Sequence, residues 1–416
     1  MIIRDVIVTP IAFRDPPLLN VAGVHEPLAL RSIVQVVVDG GVVGLGEGNG
    51  GAEFTEWLRR AVPAVIGKSV FDLNGIERAI DEALSFGADA LARRDLRSVL
   101  APIDVAAHDA QGKILGLPVS ELLGGAVRRR VPYSAYLFYK WADHPDAGTG
   151  RIAGADEWGE ATTPDGIVAQ ARALIDRYGF ESIKLKAGVL PPDEEIAAIR
   201  ALAEAFPGYP LRIDPNGAWT VETAERVAAE VGGLLEYLED PVLGLDGMSQ
   251  VRAATGLPLA TNMCVVAFEQ IPEAVRKDSV QIILGDHHYW GGLRHTRELG
   301  MVCETFGIGL SMHSNSHLGI SFAAMTHLAA ASPGLTYACD THYPWNRGDD
   351  VIVPGALEIV GGSVAVPTGP GLGVELDEAA LARQHRVYLD SGRRERDDAG
   401  YIRRFQPDFD PRLPRF

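Results

Sequence analysis

The apolar positions along the chain change period more than once. Up to about residue 45 they tend to alternate with polar ones, in IIRDVIVTPIAF, RSIVQVVVDGG and VVGLGEG, which predicts strands. The DGG between two of these runs signals a hairpin. From about residue 54 the spacing turns helical, in EFTEWLRRAVPAVIG and IDVAAHDAQGKILG. Residues 1–128 are therefore expected to form a small α+β domain.

A regular series follows over residues 129–355. Short β-rich segments recur: YSAYLF (133–138), SIKLKAG (182–188), LRIDPNG (211–217), LEYLEDP (235–241). Then come LPLATNM (257–263), VQIILGD (280–286), IGLSMHSN (308–315) and LTYACDTH (335–342). Amphipathic helical stretches such as PDGIVAQARALIDRYG and TVETAERVAAEVGGL separate them. Eight β segments alternating with helices is the pattern of an α/β (β/α)8 barrel, and a doubly wound open sheet is the competing arrangement. Residues 356–416 return to Gly/Pro-punctuated short strands, one helix (EAALARQHRVYLDSG) and a charged, Pro-rich end. Their β-rich start resembles the first domain in character and is expected to pack back on it.

Composition narrows the class. With 47% hydrophobic and 22% charged residues the chain is an ordinary globular one, and its 416 residues exceed a single typical domain. No apolar run reaches the roughly 18 residues that span a bilayer, and MIIRDVIVTP lacks a basic segment before an apolar core. Cys264, Cys303 and Cys339 have no CxxC spacing, which predicts free buried thiols in a reducing cytoplasm. A formal charge of −17 argues against nucleic acid or anionic membrane as partners. It leaves room for a small anionic substrate at a locally cationic site.

In a barrel, catalytic groups sit where the strands end at their C-terminal side. Polar residues gather there on strand after strand: Lys184 and Lys186, Asp214, Glu239-Asp240, Asn262, Asp286, then His313 and Asn315. One Asp or Asn alone would read as a helix cap. Six successive ends do not, and capping explains neither the lysines nor His313. Asp214, Glu239 and Asn262 come from consecutive strands and offer hard oxygens, which suit Mg²⁺. Asp240 is the alternative to Glu239, since alternation turns only one of them inward. Lys184 and Lys186 would face His313 across a substrate. Mutual repulsion and desolvation are expected to lower the lysine pKa values, which suits a general base. Asp286 is placed to hold the His313 imidazole. A rival reading takes HSNSHLG as a zinc pair, His313 and His317, with His287 and His288 in GDHHYWGG nearby. The segment starts at a strand end and lacks the adjacent Glu, which disfavours zinc. GEGNGG (46–51) has no following G-K-[ST] and reads as a loop, not a phosphate cradle.

These residues resemble the enolase superfamily, and within it the glucarate dehydratase subgroup. The segments are LLNVAGVHEP, GFESIKLKAGV, RIDPNGAW, YLEDP, TGLPLATNM, GDHHYW, SMHSNSHLGIS, THLAAASPG, DTH, PGLGVELD and ERDDAG, in family order over nearly the whole chain. The resemblance implies a capping domain, built from the N-terminus and the C-terminal tail, over a modified (β/α)7β barrel. It implies Lys186 as a base on one substrate face, with Lys184 beside it, and His313 with Asp286 as acid/base on the other. Asp214, Glu239 and Asn262 would hold Mg²⁺, and Asn315 is the family's site asparagine. Asn20, His25, Tyr136 and Arg396 would contact substrate, Arg396 as a fork for the distal carboxylate. The implied activity is an acid-sugar dehydratase, glucarate-like, which forms an enediolate, eliminates a β-hydroxyl and yields a keto-deoxy acid. The substrate would be an aldarate or aldonate and the protein a homo-oligomer. A racemase or epimerase using the same bases is the alternative, and a non-catalytic paralogue a third. Two segments are shorter than in the subgroup. EDPVLGLDGMSQ makes Asp246 a further candidate ligand, and ALARRDLRSVLAPIDVAAHDA has only Ser98 near a substrate-contacting threonine.

Overall fold

The alternating runs at the start build a three-stranded antiparallel sheet. Its strands are Ile3–Arg14, Leu28–Val38 and Val43–Asn49, with Leu28–Val38 in the middle. The computed structural model describes residues 1–87, 89–145, 157–346 and 348–416. The DGG turn forms as expected: Gly40 and Gly41 sit at φ 82° and 78°, which glycine reaches without a Cβ clash. Gly41 N donates to the Val38 carbonyl at 3.1 Å and so closes the turn.

The GEGNGG run differs from its reading as a loop. Its first residues belong to the third strand, Val43–Asn49. Helix Ala90–Leu115 lies directly on that strand. A Cβ on Gly44 would come 1.9 Å from the Ala106 carbonyl oxygen, and one on Gly46 1.9 Å from that of Pro102. These glycines therefore set how closely helix and sheet approach. Val34, Val36 and Val38 bury against Leu58, Ile76, Ile80, Val99 and Ile103 to make this domain's own core.

Seven parallel strands form the second sheet, in chain order. They are Ala135–Phe138, Ile183–Lys186, Leu211–Asp214, Leu235–Glu239, Leu259–Thr261, Ile282–Gly285 and Gly309–Met312. A doubly wound sheet would reverse strand order part-way, and this one does not. The eighth β segment joins by isolated parallel bridges, Leu310 with Leu335 and Tyr133 with Cys339, and so links the seventh strand back to the start of the first. It is not a regular strand because the Thr336 hydroxyl takes the Leu310 N–H at 3.1 Å, a bond a ladder carbonyl would otherwise accept.

The helices between strands carry their own punctuation. In Pro164–Tyr178, the Thr163 hydroxyl accepts from Gly166 N at 3.2 Å, Pro164 opens the helix, and Gly179 ends it at φ 72°.

The tail divides. Ser363–Ala365 pairs with Arg130–Pro132, beside the base of the first barrel strand. Helix Glu378–Ser391 lies on the first strand of the N-terminal sheet, where His385 Nδ1 donates to the Pro10 carbonyl at 2.6 Å and Tyr388 buries against Ala12 and Leu28. Among the described residues no helix is long and apolar enough to cross a membrane.

Candidate active site at the barrel mouth

Register explains where the two lysines go. Phe138, Lys186 and Asp214 are level across the first three barrel strands, and Tyr136, Lys184 and Arg212 form the level below. Alternation turns both lysines inward. Lys184 is 0% exposed, with its Nζ 2.6 Å from Asp340 Oδ2, 2.7 Å from Glu239 Oε2 and 3.5 Å from Asp214 Oδ2. Its ammonium also lies 4.8 Å from the Tyr136 ring centre. Lys186 Nζ donates to Asp214 Oδ2 at 2.6 Å.

This surround reverses the expected direction of the lysine pKa values. Burial does lower the Lys184 pKa, but Asp340 and Glu239 raise it more, and it sits well above the ordinary lysine range. For Lys186 burial lowers and Asp214 and Tyr136 raise, again with a net rise. Acids from two other strands, Asp214 and Glu239, and from the eighth segment, Asp340, outweigh the repulsion between the two ammoniums. Asp340 escaped the sequence reading, although it stands at the end of the eighth segment, where the strand-end rule would have found it.

Three acids competed for one position beside Asp214. Glu239 is buried in the arc, and Asn262 Nδ2 donates to its Oε1 at 2.9 Å. Asp240 spends both oxygens on the next strand end, accepting from Thr261 Oγ1 at 2.5 Å and Asn262 N at 2.8 Å. It holds the left-handed φ of 38°, and burial and then Asp214 push its carboxyl up to about 7. Asp246 lies away on an exposed helix turn, paired with Lys277 at 2.5 Å. Burial, then Asp214, holds the Glu239 carboxyl well above the usual range.

The opposite wall is organised by one acid. Asp286 Oδ2 accepts from His313 Nδ1 at 2.8 Å, and Oδ1 accepts from His288 Nδ1 at 2.7 Å and His288 N at 2.9 Å. Asn315 Nδ2 reaches Oδ2 at 3.4 Å. Burial works against ionisation of Asp286, but His288 and His313 outweigh it and hold the carboxyl well below the usual range. His317 turns the other way, its Nε2 3.3 Å from both Ser314 Oγ and Thr341 Oγ1. Burial drops its pKa to about 3. The H-x-x-x-H spacing therefore does not bring His313 and His317 onto one point.

Lys186 and His313 both line a cavity of about 290 Å³ at the mouth. Asn20, His25, Tyr136, Asn315 and Arg396 line it too, together with Asn216 and His342, which the sequence reading did not single out. Lys184, Asp214, Glu239 and Asn262 are not in its lining and connect to it through the Lys186–Asp214 contact. His25 Nδ1 is 3.0 Å from Asp15 Oδ2, and Asn20 Nδ2 donates to Asp398 Oδ2 at 3.1 Å. The Arg396 fork is engaged already, by Asp398 at 2.8 and 2.7 Å, where the resemblance would leave it for a substrate carboxylate. A second cavity of about 480 Å³ shares Asn315, Ser316 and Arg396 with the first and extends to Arg31, Arg94 and Ser98. A larger one, about 650 Å³, lies at Arg14, Arg177 and Tyr343 and contains none of these groups, so chemistry rather than size marks the site.

The sequence matches the mandelate racemase / muconate lactonizing enzyme N-terminal domain over residues 3–124. It matches the enolase C-terminal domain-like family over residues 166–380. The chain belongs to the enolase superfamily. Within that superfamily it is 54% identical, over 100% of its own length and 99% of the other's, to a protein of Streptomyces coelicolor described as a probable glucarate dehydratase. An enolase of Thermobispora bispora, solved with magnesium and formate, is 55% identical and superposes with a TM-score of 0.96 over 100% of both chains. An enolase of Mycobacterium smegmatis, solved with tartrate, is 57% identical with a TM-score of 0.96, over 100% of this chain and 98% of that one. The enolase-superfamily fold accounts for a separate N-terminal sheet domain and a barrel whose polar groups meet at one mouth.

Proposed function

We propose that the protein is a Mg²⁺-dependent acid-sugar dehydratase that removes the proton next to a carboxylate and expels a β-hydroxyl. The observation that carries this is one cavity with Lys186 on one wall and His313 on the other, each held by its own carboxylate. The probable glucarate dehydratase at 54% identity and the tartrate bound to the Mycobacterium smegmatis enolase support an acid-sugar substrate.

The donor set fits the metal. Asp214 and Glu239 are buried carboxylates beside the Asn262 carboxamide, and Glu239 Oε2, although ion-paired with Lys184, accepts no hydrogen bond. Magnesium in the Thermobispora bispora enolase supports the same assignment. Held by Asp214, Glu239 and Asn262, Mg²⁺ would supply Lewis-acid stabilisation of the negative charge that grows on the substrate carboxylate.

The remaining steps belong to side chains of this chain. Lys186, once it has given up the proton it holds against Asp214 in this structure, takes the α-proton, and the C–H electron pair moves toward the carboxylate. Lys184 stays charged and places a fixed positive field under that developing charge. His313 keeps its Nδ1 proton on ionised Asp286, which leaves Nε2 to serve the substrate. Protonated there, it gives that proton to the departing β-hydroxyl, which leaves as water. The resulting enol becomes the keto-deoxy acid.

Both bases in one cavity also suit a racemase, which needs a proton acceptor and a donor on opposite faces. A screen of aldarates and aldonates for keto-acid formation, with and without Mg²⁺, decides. Mg²⁺-dependent keto acid supports the dehydratase. Solvent deuterium entering the substrate without keto acid supports the racemase, and neither supports a non-catalytic paralogue.

A further inference from the structure

Arg31 is the one side chain of the N-terminal sheet that hydrogen-bonds two members of the imidazole wall among the described residues. It stands on strand Leu28–Val38 and is 3% exposed. Its Nε donates to Glu47 Oε1 at 2.9 Å, on the neighbouring strand. Its Nη1 reaches Asn315 Oδ1 at 3.2 Å and Asn49 Oδ1 at 3.3 Å, and its Nη2 lies 2.7 Å from His288 Nε2. Glu47 in turn accepts from Leu318 N at 2.9 Å and Ser321 N at 3.0 Å, at the start of helix Gly319–Ala330. The guanidinium is thus anchored on both domains before it touches His288.

We propose that Arg31 is a positioning residue that fixes His288 in its Nδ1–H tautomer, so that Asp286 receives two imidazole N–H groups and holds His313 in one orientation. Donors and acceptors around the His288 ring fix the tautomer. Guanidinium has only donors, so the His288 Nε2 facing it must present a lone pair. The ionised carboxylate of Asp286 has only acceptors, so the His288 Nδ1 facing it must carry the proton. An imidazolium at His288 would aim an N–H at an N–H across 2.7 Å and set two cations together. Ser321 Oγ, also 2.7 Å from Nε2, can share that single lone pair as a second donor, and the His287 ring lies tilted by 33° with its centre 4.0 Å away. With Arg31 removed, Nε2 faces, among the described residues, only Ser321 Oγ, which can accept as well as donate, so that nitrogen is no longer required to be bare. A proton that moved to Nε2 would leave Nδ1 bare against Asp286 Oδ1 and so disturb the carboxylate whose Oδ2 orients His313.

The first arm of the test needs no substrate and so stands whether or not the dehydratase reading holds. Imidazole ¹⁵N spectra at neutral pH, with the His288 signals assigned by comparison with His288→Asn, read the tautomer directly. The expected result is a bare Nε2 and a protonated Nδ1 in the native protein. A protonated Nε2 at His288 would overturn the proposal even if no variant folds. In Arg31→Met the Nε2 signal is expected to move toward a protonated nitrogen, and in Arg31→Lys to stay near the native position. Unchanged His288 signals in Arg31→Met would overturn it. The second arm rests on the dehydratase reading: kcat is expected to fall about tenfold in Arg31→Met with KM nearly kept. A loss carried by KM alone would make Arg31 a substrate contact and overturn the positioning role.

Discussion

The two walls of the site use carboxylates in opposite ways. On the lysine wall Asp214, Glu239 and Asp340 crowd around the Lys184 ammonium, and Asp214 serves Lys186 as well. Glu239 Oε2 and Asp340 Oδ1 are left without hydrogen bonds there. On the imidazole wall a single acid, Asp286, is saturated by His288, His313 and Asn315. The first wall carries more buried acid than its lysines satisfy, which is an arrangement that suits a bound cation. The second is complete as it stands and can hold a proton donor without one. Under the proposed function, the difference would give proton removal and charge stabilisation to the lysine wall and proton delivery to the imidazole wall.

The largest predicted effect breaks the lysine wall. Lys186→Ala removes the group proposed to take the α-proton, and keto-acid formation is expected to drop by about 10³-fold or more, read from steady-state assays. Activity within tenfold of native would remove Lys186 from the chemistry. Next comes Glu239→Gln, which keeps shape and removes one charge. Calorimetric Mg²⁺ titration is expected to show affinity weakened at least tenfold, while Asp246→Asn, on the exposed helix, leaves it unchanged. The reverse pattern would move the ligand to Asp246.

The smallest effect concerns how the N-terminal domain is held over both walls. Glu77 on helix Leu73–Leu84 pairs with Arg294 and with His295 Nε2 at 3.0 Å, both on helix Leu293–Phe306 of the barrel. Burial raises the Glu77 pKa, but His295 and Arg294 outweigh it and bring it to about 2, while the His295 pKa is raised above its ordinary value by Glu77 despite burial. A lowered carboxyl pKa contributes stability above the ordinary 4.5 and loses it as pH falls toward 2. A raised imidazole pKa contributes below the ordinary 6.5 and loses it as pH climbs through the folded value. The contribution is therefore greatest between 4.5 and 6.5. Discounted for partial exposure it amounts to about 1 kcal/mol, so Glu77→Gln should lower Tm by a few degrees at most, mainly in that window. A Tm difference that is constant from acid to neutral pH would contradict the pairing.

The parts of the site that could be read from sequence are those fixed by one strand. Alternation turns Lys184 and Lys186 to one face, and the rim rule finds Asp214, Glu239, Asp286 and His313. What escaped depends on partners far along the chain. The lysine pKa direction needs Asp340, 156 residues from Lys184, so the one-residue spacing of two ammoniums pointed the wrong way. Arg31 meets His288 across 257 residues and between domains, and nothing local to RSIVQ marks it. VVGLGEG was legible as a strand, but its glycines made its end read also as a loop, because the space beside Gly44 and Gly46 is filled by carbonyls of helix Ala90–Leu115 and that beside Gly48 by the Phe54 and Pro102 rings. The Arg396 fork looked free in ERDDAG, although its partner Asp398 lies two residues on.

The division of labour between the walls is tested most directly by α-proton exchange in deuterated water, with Mg²⁺ and the best acid sugar from the screen, followed by NMR. His313→Asn is expected to exchange the proton that faces Lys186 while losing water elimination, and Lys186→Ala to do neither. Exchange that survives in Lys186→Ala and vanishes in His313→Asn would contradict that division.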